Sequence, residues 1–259
     1  MYSFLHQLLS DKEGGKIFTL FRFWHFFYIV LTIAVVVLVV YFFKNKDEEA
    51  KQSAQKTLIS VAFGLYMADF FLMPFAYEEI DIDKLPFHAC TSMSVLCYFS
   101  YHIRILEKYR SSFVLLGFIS NLIYLAYPAG VMWYGIHPLS YRVIQTLLFH
   151  GVMTAYGATT FALDSDKFQF KAWRKDLLVL VLMTVWALIG NYAYSGTAGG
   201  YDHSFNWFFV MQDPLDLVPA DIAPKIMPFV NIVVFFIAER LICWIITFIK
   251  NRRNVIKES

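Results

Sequence analysis

Cys90 has the sequence context best suited to nucleophilic chemistry in this chain. It closes the run Leu85-Pro86-Phe87-His88-Ala89-Cys90, where proline favours the first turn of a helix, so the thiol falls close to a helix N-terminus. Unpaired amides and the positive dipole end stabilise a thiolate there, and the thiolate is the nucleophilic form of cysteine. The same residue type is also a common inert small side chain in packed helices. His88 lies two positions away, roughly 200° round an ideal helix, so a base for Cys90 must come from another segment. His150 is the candidate. Arg142, Thr146 and His150 recur at four-residue intervals, and Gly151, Thr154, Gly157 and Ala158 supply small residues for close helix packing, which points that face into protein. A histidine bonded across a helix contact for stability alone produces the same pattern.

Other polar residues gather at one end of the apolar segments. His25 and His88 read as orienting or capping groups. Asp69 would orient an imidazole or pair with Arg142, the pairing being the more economical reading. Asn191 and Tyr192, with Asn206 and Asp213 in the following loop, would position a head group or hold an acyl oxyanion, although amides and hydroxyls at span ends are commonly structural. Ionisable groups inside a membrane are costly and mark functional sites by default. Glu239-Arg240 and Arg104 read as snorkelling anchors. No H-E-x-x-H, His pair at i, i+4 or C-x-x-C occurs, so no metal site is expected and none is assigned. Cys90, Cys97 and Cys243 have no paired spacing that would indicate a disulfide framework. Motifs for a P-loop, a dinucleotide fold or a G-x-S-x-G elbow are lacking, and no cofactor is called for.

The elements that must position these groups are membrane helices. Hydrophobic residues make up 58% of the 259 and charged residues 16%, with mean hydropathy +0.53, against roughly 45–50% and about 25% in soluble domains. Seven stretches qualify as spans: 17–43, 57–77, 88–107, 112–134, 140–163, 176–195 and 225–249. Lys and Arg concentrate in the first loop, at the third–fourth junction, around Lys171–Lys175 and from Arg240 onward. The acidic loops Glu78–Asp83 and Asp202–Asp221 fall on the other side, which gives an outside N-terminus and an inside C-terminus. The run 17–43 lacks a small-residue cleavage site and is kept as a span rather than a signal. Phe4, Leu5, Leu8 and Leu9 share one side of a short helix ending near Gly14-Gly15, read as interfacial. The expectation is an all-α polytopic bundle: one integral membrane domain over 1–259, with an interfacial helix at 1–15 and seven helices over 17–250. Aromatic residues, 19% of the chain, read as lipid-facing and interfacial, and no basic footprint for nucleic acid is visible.

Leu85-Pro86-Phe87-His88-Ala89-Cys90, Phe149-His150-Gly151, Gly190-Asn191-Tyr192 and Asp213-Pro214 together resemble the YwaF-like bacterial integral membrane family. That family is related to the transmembrane protein 164 family, regarded as cysteine-dependent phospholipid acyltransferases. The resemblance spans roughly residues 20–250. It implies acyl transfer on lipid in a multi-pass bacterial plasma membrane protein, with the motif cysteine at Cys90, the motif histidine at His150 and pocket-lining roles for Asn191 and Asp213-Pro214.

The expected function is a membrane acyltransferase or lipid hydrolase acting on phospholipid or lysophospholipid through an acyl-thioester on Cys90, with membrane lipids as partners. The alternative is a non-enzymatic lipid or small-molecule binding or transport protein using the same polar pocket. The two diverge at Cys90→Ser, which a binding pocket tolerates and a thioester mechanism does not. A retinal-type receptor is disfavoured, because the last span has no lysine in its apolar middle.

Overall fold

The computed structural model describes residues 2–11, 17–77, 82–132, 135–195 and 205–258. The Gly14-Gly15 helix end, residues 78–81 of the first acidic loop and Tyr201–Ser204 of the second lie outside the described residues, as do Lys12 and Lys16. Among the described residues the structure is all-helical, with no strand. The α-helices are α1 Tyr2–Leu9, α2 Phe23–Phe43, α3 Glu48–Tyr77, α4 Ala89–Phe99, α5 Arg104–Glu107, α6 Arg110–Ala126, α7 Ala129–Met132, α8 Tyr141–Leu163, α9 Trp173–Tyr194 and α10 Ala223–Glu258. They fall into two compact units, Met1–Ile82 with Gly117–Leu163 and Asp83–Leu116 with Asp164–Ser259, so α6 contributes to both.

Five stretches among the described residues are long and apolar enough to cross a bilayer: Phe23–Phe43, Glu48–Phe75, Arg110–Met132, Phe170–Tyr194 and Ala223–Arg252. Seven contiguous spans were expected, and the difference has two physical sources. The segment 88–107 is not one helix. Its α4 portion has 11 residues, about 16 Å at 1.5 Å per residue against a hydrocarbon core of about 30 Å. The break after α4 is closed by Arg110, whose Nε donates to Ser100 Oγ at 3.0 Å and Nη2 to Ser100 O at 2.6 Å, while its guanidinium lies 3.9 Å from the centre of the Tyr101 ring. A cation on the terminal carbonyls is what the negative end of a helix favours. The second source is α8, whose 23 residues reach about 34 Å but which is too polar to register as a span. It packs against α1, α2, α3 and α7 in the first unit, and 15 of its residues are buried, so its polar groups face protein. By contrast α2 buries only His25, Tyr28 and Thr32.

Local chemistry sets the boundaries. Asp47 Oδ1 accepts from Ala50 N at 2.8 Å at the start of α3, and Glu48 and Glu49 occupy its positive first turn. α6 ends at Tyr127-Pro128, because the residue before proline is driven out of helical conformation. The N-terminal helix runs only over Tyr2–Leu9, shorter than the 1–15 expected; its His6 Nδ1 donates to Phe75 O at 3.2 Å, tying α1 to the end of α3.

Glu239 and Arg240 do not snorkel as expected. Glu239 is 0% exposed, and Arg240 Nη2 pairs with Asp176 while its Nη1 donates to Phe170 O at 2.9 Å. In the second unit α9 and α10 pack against one another along this seam, and both terminal nitrogens of the guanidinium are bonded within protein.

Candidate functional site: a helix-start thiol and a buried imidazole

Cys90 belongs to the second unit and occupies the second position of α4. His88 is the N-cap, in extended conformation at φ −77 and ψ 145, and Ser92 N donates the first helical bond to His88 O at 2.9 Å. Cys90 is partly exposed whereas Cys97 and Cys243 are buried, and none of the three is in a disulfide.

The approach to α4 is fixed rigidly within this unit. Pro86 O accepts from Ser92 Oγ at 2.5 Å and from Trp186 Nε1 at 2.7 Å. Phe87 stacks on Trp186 at 4.8 Å and meets Trp207 at 4.9 Å. It lies so close to α9 that a Cβ on Gly190 would overlap its ring, which explains the glycine of Gly190-Asn191-Tyr192.

The loop after α9 packs onto the same residues. Trp207 is 0% exposed, stacks on Phe205 at 4.3 Å and donates from Nε1 to Asp83 O at 3.2 Å. Phe208 and Phe209 both have positive φ, 57° and 53°. Left-handed non-glycine residues cost of order 1–3 kcal/mol each and persist only when their surroundings over-determine them. Here Asn231 Nδ2 donates to both of their carbonyls, at 2.6 and 2.9 Å.

Several polar residues expected at the site serve this loop. Asn191, 0% exposed, donates to Ala187 O at 2.7 Å and Trp207 O at 3.1 Å and accepts from Trp207 N at 3.1 Å. Asn206 accepts from the amides of Met211 and Gln212, both at 3.0 Å, and donates to Gln212 O at 3.0 Å. Tyr192 is 60% exposed. His88 has Nε2 3.6 Å from Asp83 Oδ1; burial pushes the Asp83 carboxyl up, but His88 and Lys84 outweigh it and hold it below its ordinary value.

Asp213 accepts from the amides of Leu215 at 2.9 Å, Leu217 at 2.8 Å and Val218 at 3.0 Å, and these bonds hold its carboxyl below the ordinary range. A depressed carboxyl contributes stability that is full above its unfolded pKa of about 3.9 and is lost as pH falls through the lower folded value. Hydrogen exchange corrected for intrinsic rate is therefore expected to show Leu215, Leu217 and Val218 protected at neutral pH and opening below about pH 4. Asp213→Ala should open them at every pH, and unchanged protection in that variant would refute the assignment.

His150 belongs to the first unit, as do His25, Asp69 and Arg142. It is 5% exposed. Its Nδ1 lies 2.7 Å from Asn121 Oδ1, its ring stacks on Tyr124 at 3.8 Å and 15°, and Phe149 meets it edge-on at 5.0 Å. His25 uses both ring nitrogens on backbone: Nδ1 accepts from Phe21 N at 3.1 Å and Nε2 donates to Leu125 O at 2.8 Å. Arg142 Nε donates to Asp11 Oδ2 at 3.2 Å, a partner the sequence did not suggest, and Asp69 is 4% exposed. Asn121 was also missed, although a polar residue in the apolar stretch 112–134 was its signal. A groove of about 420 Å³ on α3 is lined by Ser53, Lys56, Thr57, Ser60 and Val61, and no candidate site residue lines it. Among the described residues no cluster of His, Cys, Asp or Glu could hold a metal.

Comparison with known proteins gives no match among curated proteins or solved structures. The sequence model of one family does match, over residues 20–249, a range that takes in Cys90, His150 and the loop around Trp207. With that coverage and these membrane-length helices, the chain is a multi-pass membrane protein belonging to the TMEM164 family.

Proposed function

We propose that this protein is a lipid acyltransferase or hydrolase acting on phospholipid or lysophospholipid in the outer leaflet, with Cys90 as nucleophile and His150 as general base. His150 takes the thiol proton, and the thiolate attacks an ester carbonyl. The tetrahedral intermediate collapses to an acyl-thioester as the leaving alcohol takes the proton back. An acceptor hydroxyl, or water in the hydrolase, then gives its proton to His150 and attacks the thioester, releasing Cys90. Amides in the first turn of α4 stabilise the oxyanion. They replace Asn191 in that part, since its amide hydrogens are committed to Ala187 and Trp207.

The observation that carries this reading is the position of Cys90 in the first turn of a helix whose entry is fixed on both sides by Trp186 and Trp207. Around it we place one membrane domain of seven crossings, N-out and C-in. α8 and the broken α4–α5 segment join the five apolar spans, in a YwaF-like protein of the bacterial plasma membrane.

The test is labelling of detergent-solubilised protein with a lysolipid-like chloroacetamide. Cys90 is expected to label selectively and quickly, and His150→Ala to slow it about 10²–10⁴-fold. Equal, slow labelling of Cys90 and Cys97 would reject an activated thiol.

A further inference from the structure

Asn121 is a fully buried polar residue whose side chain meets the imidazole of His150, and its geometry fixes more than position. Its carboxamide is 0% exposed, and Nδ2 donates to Gly117 O at 2.7 Å, one turn back on its own helix. That bond settles which end of the amide faces His150, because turning it over would set Oδ1 against the Gly117 carbonyl oxygen and the NH₂ against the imidazole. Oδ1 is therefore the atom 2.7 Å from His150 Nδ1, and a carbonyl oxygen at that distance accepts a hydrogen. His150 thus carries its proton on Nδ1, and Nε2 keeps the lone pair.

Tyr124 completes the grip. It stands three residues after Asn121, hence on the same face of α6, and its ring lies flat on the imidazole at 3.8 Å. One residue holds the ring's edge and the other its plane, and both come from the first unit's part of α6. Gly130 makes room for this arrangement, since a Cβ there would sit 2.8 Å from Tyr124 Oη.

We infer that Asn121 is a positioning residue that holds His150 in the tautomer whose Nε2 accepts the proton of the nucleophile, an inference that rests on the cysteine–histidine reading above. A general base must have its lone pair on the nitrogen that faces the proton, and holding an imidazole in the wrong tautomer forfeits that catalysis while leaving the fold intact. Asn121 touches neither nucleophile nor substrate in this account and acts only through His150.

Two readouts test it on the full-length protein in detergent. The first is ¹⁵N NMR of histidine-labelled protein, with the His150 signals assigned by their loss in His150→Ala. The second is the saturation kinetics of Cys90 labelling by the lysolipid-like chloroacetamide. In the wild type, Nδ1 is expected to be pyrrole-like and Nε2 pyridine-like. Asn121→Ala should mix the tautomers and lower the maximal labelling rate about 10- to 100-fold, with half-saturation unchanged, as part of the about 10²–10⁴ that a general base supplies. Asn121→Asp keeps the acceptor at nearly the same volume, its second oxygen in the protonated acid replaces Nδ2 as donor to Gly117 O, and it should stay within about tenfold of wild type, so it carries the test where Asn121→Ala fails to fold.

A wild-type signal with the proton on Nε2 overturns the inference. So does an Asn121→Ala protein with mixed tautomers and an undiminished rate while His150→Ala is slow, an outcome that leaves the cysteine–histidine reading standing. Loss in Asn121→Asp as deep as in His150→Ala overturns it too. Full labelling in His150→Ala removes the base itself, and the inference falls with it.

Discussion

Cys90→Ser is expected to reduce acyl transfer to background while leaving the folded protein unchanged. The chemistry behind the size of this loss is the acidity of the nucleophile: a thiol yields an appreciable thiolate fraction near neutral pH, and a serine hydroxyl needs far stronger activation to attack an ester. Stability should hardly move. Cys90 is partly exposed, and the residues that fix the start of α4 are Pro86, Phe87, Ser92, Trp186 and Trp207, none of which bonds through the thiol. The measurement is transfer from a fluorescent phospholipid to a lysophospholipid in proteoliposomes, run beside thermal unfolding of the same preparation. His150→Ala should fall about 10²–10⁴-fold in the same assay. A Cys90→Ser protein that still turns over at near wild-type rate would exclude a thioester intermediate. Normal lysolipid binding by Cys90→Ser, together with a wild type that shows no turnover, would move the assignment to a lipid-binding or transport protein.

The parts of the fold legible in the sequence were those written in lipid-facing residues. α2, α9 and α10 are long apolar runs because most of their surface meets hydrocarbon, and composition alone marks them. The start of α4 was legible to within a few residues, although Pro86 stands two residues before the His88 N-cap and not in the first turn. What the sequence under-determined depends on partners distant in the chain. Residues 88–107 are apolar enough for a span, yet the helix stops at Phe99 because Arg110 satisfies the Ser100 carbonyl.

Polar residues were visible as unusual, but their roles were not. Asn191, Asn206 and Asp213 looked like lining for a pocket, and each has its side chain engaged by the backbone of the loop that carries Trp207. Asn121 looked like nothing in particular, because its meaning lies in a bond to a residue 29 positions away. Burial does not separate these cases. Asn121 and Asn191 are both 0% exposed, and only the identity of the atom across the hydrogen bond distinguishes a loop clamp from a group that sets a tautomer.

The second large effect is expected far along the chain from the proposed nucleophile. Asp176 is 1% exposed, accepts from Ser112 Oγ at 2.5 Å and pairs with Arg240, whose guanidinium also lies 5.7 Å from the Phe170 ring centre and 5.5 Å from that of Phe236. Asp176→Ala should destabilise the protein by about 3–5 kcal/mol, because it leaves a guanidinium buried without its counter-charge, and a loss of that size is a large share of a typical stability of about 5–15 kcal/mol. The neighbouring acid sharpens the test. Both Glu239 carboxyl oxygens are buried without a hydrogen-bond partner, so Glu239→Gln, which has nearly the same shape and breaks no hydrogen bond, should be close to silent. Asp176→Ala combined with Arg240→Met removes both charges and should recover most of the loss, since an apolar pair of similar volume often matches or exceeds a buried ion pair. Unfolding by SDS titration in mixed micelles measures the wild type, Asp176→Ala, Arg240→Met, the double variant and Glu239→Gln on one scale. A double variant as unstable as the sum of the two singles would show that Asp176 and Arg240 act independently, and the stability of this seam would then have to come from the aromatic contacts of Arg240 with Phe170 and Phe236.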